Sequence, residues 1–317
     1  MSRARALALG TDEVAQAAAA ARLADGGGAL DAVLAGYFAV GGASGGVLLA
    51  PLAILVGGVG QGTRAFDGRP RQPGRGARRP RGFLAEDVVP EAARLAIPGS
   101  LPAALVAHAY GTSSLRSVVQ PGIAAAARAG AKERQALLQR IGEVGAAALL
   151  EPAYRRGLLR RGGAPEGGLV SPGDFDTAME GLDHPGTVRE IDGARFLVPA
   201  WEPGPGSGSV VPASAVVAID AHGVCAALAY GTLEDGVWIA ELDLLAPKSA
   251  IPVMRGVPRT APGLPLGRPF ALGIRLDEQE RPVEILAEPG ASALGEQPVL
   301  PRIALRRDPA TRLVRRA

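Results

Sequence analysis

The pattern of apolar positions changes character along the chain. In the first half it predicts helices: an alanine-rich stretch from Thr11 to Leu23, opened by Thr11-Asp12-Glu13 and stopped at Gly26 to Gly28, then a second from Ala29 to about Val40. Leu115 to Gly130 and Glu133 to Gly162 continue the helical period, the latter with Glu133, Arg134, Arg140 and Glu143 on one side. In the second half the apolar residues form short dense runs instead. Ala215 to Ile219 and Val224 to Tyr230 flank Asp220-Ala221-His222-Gly223, the composition of a tight hairpin turn. Neither run alternates polar with apolar, so both strands have both faces covered. Pro269 to Leu276 and Pro282 to Glu288 predict a further hairpin. The pattern is that of a layered α+β protein.

Composition adjusts this picture in a few places. With 47% apolar but only 4% aromatic residues among 317, the core is built from Ala, Val, Leu and Ile. The net charge of +3 reflects arginine richness and is too small for a dedicated nucleic-acid binder, so nucleic acid is not an expected partner. Cys225, the single cysteine, allows no intramolecular disulfide and reads as a small buried hydrophobe. Acidic residues Asp12 and Glu13 interrupt the opening before an apolar core of signal-peptide length forms, which predicts a cytoplasmic protein. The uncharged run from Tyr37 to Thr63 is long enough to raise a membrane question. Its glycines and mid-run proline, and its lack of an aromatic belt, favour two buried strands joined by a turn. Arg64 to Arg81 holds seven arginines among Gly and Pro, read as a solvated basic loop.

Several blocks in succession resemble the γ-glutamyltransferase family. GGGALDAVLAGYFAV is similar to the family's G-G-N-A-x-D-A-A-V-A, with Asp31 at the aspartate, and Gly41 to Gly46 stands at its glycine loop. Asp67 to Pro73 resembles D-x-R-E-x-A-P, with Arg69 at the arginine and Pro70 at the glutamate, and the segment from Ala96 to Gly111 resembles V-P-G-x-x-x-G followed by a helix and a Y-G turn. Gly167 to Phe175 resembles G-G-L-L-T-x-E-D-L, and Val198 to Gly208 resembles P-P-P-S-S-G-G. Ala213 to Asp220 then takes the place of the strand T-T-H-x-S-V-V-D. The likeness runs from Leu7 to about Ser292. It implies a four-layer αββα sandwich of the Ntn-hydrolase kind, shortened by a helical stretch that the family carries after the position of Gly208. Residues 1–208 correspond to the family's large subunit and 209–317 to its small subunit, in one folding unit.

The resemblance also implies where an active site would lie, and there the residues depart from the pattern. The family's nucleophile, a threonine freed by self-cleavage, falls at Ala213, which has no oxygen with which to attack a carbonyl. Ser214 is the fallback, one residue along and so on the opposite face of a strand. Arg69 matches the arginine that holds the substrate carboxylate, a task suited to a bidentate fork. Glu241 falls at a pocket glutamine and Leu244 at the aspartate that binds the substrate amine. Gly267 and Arg268 replace a serine pair, while Gly290 and Ala291 stand at the oxyanion-hole glycines. Gly231 and Leu233 fall at the residues that support the nucleophile, with Thr232 one place away.

No other active site is legible. His108, His184 and His222 are far apart in sequence, His222 within the hairpin turn, so no metal is expected, and no cofactor. Asp174 and Asp176 read as helix-start residues after Pro172. The leading expectation is an uncleaved, catalytically inactive γ-glutamyltransferase-like protein that acts as a structural or regulatory subunit, partnered by an active paralogue or by itself. Two alternatives remain open: a γ-glutamyl or amide hydrolase using Ser214, and a binding module that holds a small anionic ligand through Arg69.

Overall fold

A computed structural model describes residues 4–58, 62–78, 81–205, 212–296 and 302–317. Seven helices and thirteen strands carry the described fold. The strand β1 (Leu7–Gly10) leads into α1 (Glu13–Ala24), whose N-cap is Asp12: its carboxylate accepts from the N–H groups of Val14 and Ala15 at 2.8 and 3.0 Å. Helix α2 (Ala29–Ala43) follows, almost wholly buried, then β2 (Leu52–Gly58) and β3 (Gly62–Gly68). The apolar run from Tyr37 is therefore the end of a helix, a turn region and one strand, where two strands were expected. Gly42 is the reason a helix can be so deeply placed: a Cβ there would lie 2.0 Å from the carbonyl oxygen of Gly122 on α4 (Leu115–Arg128). Helix α3 (Ser100–His108) precedes α4, and α5 (Lys132–Val144) and α6 (Pro152–Gly162) follow it. The stretch from Glu133 to Gly162 is thus two helices, broken by a 3-10 turn before Pro152, whose ring cannot continue a helix. Helix α7 (Pro172–Asp176) is a single short turn.

The remaining strands are β4 (Asp183–Ile191), β5 (Ala194–Pro199), β6 (Ala213–Ile219), β7 (Cys225–Gly231), β8 (Val237–Ile239), β9 (Leu244–Ala246), β10 (Ala271–Leu276), β11 (Pro282–Glu288), β12 (Ile303–Arg307) and β13 (Val314–Arg316). Eleven of them form one antiparallel array in the order β1-β6-β7-β2-β3-β4-β5-β10-β11-β12-β13. The array folds over itself at β4, whose first residues pair with β3 up to Pro185 and whose later ones pair with β5 from Gly186. At the opposite side the N–H of Val314 donates to the carbonyl of Ala4 at 2.8 Å, so the two edge regions meet and cover each other. The result is two stacked sheets. Between them lie Ala53, Ala65, Ala215, Val217, Ala227, Ala229, Ile274, Ile285 and Leu305, a filling rich in alanine as the composition required. The outer face of the first sheet (Ile54, Phe66, Val216, Leu228, Tyr230) packs under the helices.

Helix contacts of any extent in the described residues fall on the first sheet and the small β8–β9 pair. The outer face of the second sheet carries a small apolar cluster, Phe196, Val198, Leu286 and Ala304, and charged residues: Glu284 is held by Arg275 and Arg302 at 3.1 and 2.7 Å. That is how an antiparallel sheet faces water without a helical cover. Among the described residues no helix is long and apolar enough to cross a membrane.

The central hairpin is as the pattern predicts. β6 and β7 pair from Ala213↔Gly231 to Ile219↔Cys225. Gly223 takes φ +90°, open to glycine at no steric cost, and Asp220 ties the turn by accepting from the N–H groups of His222 and Val224 at 2.9 and 3.0 Å. Burial pushes the Cys225 thiol up to about 12, with the Asp220 carboxylate adding to the shift, which leaves it a small apolar filler. The second expected hairpin is also present as β10–β11.

Candidate functional site

A cleft of about 510 Å³ opens at the end of the hairpin remote from its turn. Pro212, at the start of β6, and Thr232, just past β7, meet there, the Thr232 N–H donating to the Pro212 carbonyl at 2.8 Å. Leu266, Gly267 and Arg268 line it beside Gly290 and Ala291 from the turn after β11, with Pro70 and Leu233. Five segments that the resemblance assigned to one site, separate in sequence, are therefore adjacent in space. Pro247, Lys248, Ser249, Arg94, Glu234, Asp235 and Phe270 also line it; none was singled out from the sequence, because no local spacing links them.

Of the individual residues, some stand where expected and others do not. Ala213 heads β6, is 5% exposed, and shares the face of Ala215, Val217 and Ile219 toward the second sheet. Ser214 lies on the other face, with Val216 and Ala218 under the helices, and pairs in register with the buried Tyr230. Its hydroxyl therefore belongs to the helical side of the sheet.

Arg69, expected to hold a carboxylate ligand, is turned inward and fully engaged. Its Nη2 meets Asp67 Oδ2 at 2.8 Å, its Nε meets both Asp67 oxygens at 3.0 and 3.2 Å, and its Nη1 donates to the carbonyls of Glu202 and Gly267 at 2.8 and 3.2 Å. At 3% exposure it has neither a free fork nor access. A buried guanidinium needs a counter-charge and acceptors to offset desolvation, and Asp67, two residues away, supplies them. The rest of the basic segment is also more ordered than a solvated loop: Arg64 lies in β3 and Arg71 donates to the carbonyls of Gly263 and Gly181 at 3.2 and 3.1 Å. Arg75, Arg78 and Arg81 are exposed, and Arg79 lies outside the described residues.

Glu241 does not face the cleft; it pairs with Arg160 of α6 at 2.6 Å, and Leu244 is buried in β9. Gly290 lines the cleft at φ +84°. The N–H of Ala291, expected in an oxyanion hole, instead closes a turn onto the Glu288 carbonyl at 3.1 Å. Asp174 acts as a cap, accepting from the N–H groups of Ser171, Gly74 and Arg75 at 2.8 to 3.0 Å, as its position predicts. Among the described residues no cluster of three or more His, Cys, Asp or Glu is placed to hold a metal.

The positive side chains around the cleft differ in their freedom. Lys248 is held by Asp235 at 2.7 Å and Glu91 at 2.8 Å, contacts that raise its pKa, and Arg94 pairs with Glu86. Arg268 is exposed and meets no carboxylate among the described residues. The Ser249 Oγ is buried with no hydrogen-bond partner among the described residues.

Two stacked antiparallel sheets with helices over one of them, and a cleft at the open end of the central hairpin, define an Ntn-hydrolase-like fold. Solved structures agree. A form of LmbA2991 superposes with a TM-score of 0.74 at 13% identity, covering 100% of this chain and 97% of that one. A cephalosporin acylase from Bacillus halodurans gives 0.69 at 11% identity, over 99% and 94%. No family model matches the sequence, and no curated protein matches it. At these identities the likeness is one of fold.

Proposed function

We propose that this protein is an uncleaved, non-catalytic chain on a γ-glutamyltransferase-like framework, a reduced form of the four-layer αββα sandwich, acting as a structural or regulatory subunit. One observation carries the reading: the head of β6 bears Ala213, while the hydroxyl next to it is on the far face of the strand. Self-cleavage and amide transfer by the route of the family both need an oxygen nucleophile at that point. The surrounding groups support the same conclusion, since Arg69 is consumed by Asp67 and the Ala291 N–H by Glu288. The partner in this reading is an active relative or a second copy of the chain.

Intact-mass measurement of the purified protein tests it. A single species at 32.2 kDa, unchanged in Ser214→Ala, is expected. Fragments of 213 and 104 residues that vanish in Ser214→Ala would establish the Ser214 enzyme instead. Co-purification of a tagged chain with an active relative, or light scattering for self-association, tests the subunit role.

A further inference from the structure

Most of the arginine-rich segment lies outside the cleft, and its setting points to a different role. We infer that the ribbon formed by residues 70–84 and 253–266 is a docking surface for an acidic, leucine-bearing segment of a different protein. The inference gives the partner of the subunit reading a chemistry, and it rests on that reading only in supposing a partner.

The two segments lie side by side although they are far apart in the chain. The N–H groups of Leu266 and Gln72 donate to the carbonyls of Pro70 and Leu264 at 2.8 and 2.9 Å, and the Gly263 N–H donates to the Gln72 carbonyl at 2.8 Å. Arg259 Nη2 reaches the Gly74 carbonyl at 3.0 Å. At the outer end the Phe83 N–H donates to the Val253 carbonyl and the Arg255 N–H to the Phe83 carbonyl, both at 2.8 Å.

Neither segment contains an acidic residue, and their described residues include Arg71, Arg75, Arg78, Arg81, Arg255 and Arg259. None of the six meets a carboxylate among the described residues; the acids at the borders are engaged with others or stand apart. Asp67 holds Arg69, Glu86 holds Arg94, and the buried Asp174 accepts from the N–H groups of Gly74, Arg75 and Ser171. Glu180 and Glu202 are exposed and pair with none of the six. Set against all of these acids and Asp87, the six arginines together with Arg69 and Arg94 still leave an excess of positive charge. Arg75, Arg78, Arg81 and Arg255 are exposed, so their forks are open to carboxylates from outside.

Aliphatic side chains stand among these arginines. Leu84, next to the Phe83–Arg255 contact, is 74% exposed, Val257 is 55% and Leu264 is 43%. Carboxylates interspersed with leucines complement such a strip, the charges steering and orienting the segment while the leucines cover the aliphatic groups. A phosphate backbone would leave those groups uncovered, and Phe83, the one aromatic residue of the ribbon, is half-buried and offers no platform for bases. A bilayer needs a broader apolar face than three separated side chains. Arg69 and Arg268 take no part, the first being held by Asp67 and the second lining the cleft.

The test is fluorescence anisotropy of a labelled short peptide of glutamate interspersed with leucine, titrated with the full chain. Binding should saturate, and should weaken roughly tenfold or more as salt rises from about 0.01 M to about 1 M, because the screening length shortens from about 30 Å to about 3 Å. The glutamine version of the peptide should bind roughly tenfold more weakly or worse. Arg81→Glu with Arg255→Glu should abolish binding of the acidic peptide and create binding of its lysine version. Both side chains are exposed without a carboxylate partner among the described residues, so this variant should melt as the parent does. Leu84→Ser with Val257→Ser should weaken binding by roughly threefold to tenfold. No binding of the acidic peptide, equal binding of the glutamine version, or unchanged binding after the charge reversal would each overturn the inference. Tighter binding to phosphatidylglycerol vesicles or to oligouridylate would overturn it in favour of a membrane or RNA. Self-association of the chain that the charge reversal abolishes would overturn it in favour of a second copy. Intact mass on the same samples keeps the two readings apart. Fragments with peptide binding kept would remove the uncleaved reading alone, and one uncut chain that binds no acidic peptide would remove the docking surface alone.

Discussion

The two ends of the central hairpin have opposite characters. At the turn end carboxylates tie the backbone together: Asp220 accepts from His222, Val224 and, at 3.1 Å, from the Ala29 N–H at the start of α2. Asp31, wholly buried, accepts from the N–H groups of Gly28, Thr112 and Ser113 and from the Thr112 hydroxyl, all at 2.8 to 3.1 Å. Burial would raise its pKa, but these hydrogen bonds outweigh burial and hold the carboxyl below its ordinary value. At the open end an alanine heads the strand, Ser249 Oγ has no hydrogen-bond partner among the described residues, and a cavity remains. The difference teaches that the blocks at the two ends of one hairpin do different work. Those at the turn end hold the helix to the sheet, whatever happens in the cleft.

The largest effect is expected below the surface, at Arg69, which binds Asp67 and the carbonyls of Glu202 and Gly267. Arg69→Ala leaves Asp67 buried without its counter-charge and should cost about 3–5 kcal/mol in denaturant unfolding. A loss below about 1 kcal/mol would show that the arginine is not committed to the fold. Next comes the turn end, where Asp31→Ala strips the acceptor from three backbone N–H groups and should cost roughly 3 kcal/mol. Because the folded pKa of Asp31 is lowered, its contribution is complete above the ordinary carboxylate range and fades as pH falls through the folded value. Acid titration of stability should therefore show a loss in parent that Asp31→Ala lacks.

The open end should respond far less. Ala213→Thr places a hydroxyl at the head of β6, and under the proposed non-catalytic reading intact mass should stay that of one chain, with a stability change within roughly 1–2 kcal/mol for a slightly overfilled site. Cleavage in that variant would mean that the framework still holds the machinery. The smallest effect is at Cys225, whose thiol, raised to about 12, should not react with a disulfide reagent until the chain unfolds.

How far each of these was legible depended on whether the cause was local. The hairpin, the caps at Asp12 and Asp174, and the β10–β11 pair follow from periodicity and turn chemistry within a few residues, and they are found as read. The strand expected at the start of the Tyr37 run was misplaced because a helix buried on all sides carries the same unbroken apolar pattern as a buried strand. The setting of Arg69 is hidden from the sequence for a related reason. An arginine in a motif declares its donors, but only the folded chain shows that Asp67, Glu202 and Gly267 have taken them.

By itself, then, the sequence determined the layered class of the protein, the alanine-rich core, the central hairpin and the absence of an oxygen at position 213, because each depends on residue type and short-range order. Tertiary structure alone decided which charges are free. Lys248, Arg94 and Arg69 are neutralised by carboxylates, two of them by acids near in sequence and one by acids brought from afar, while Arg268 meets no carboxylate among the described residues. Electrostatic pairing acts across space at a few ångströms, and the chain order does not record which distant groups come that close.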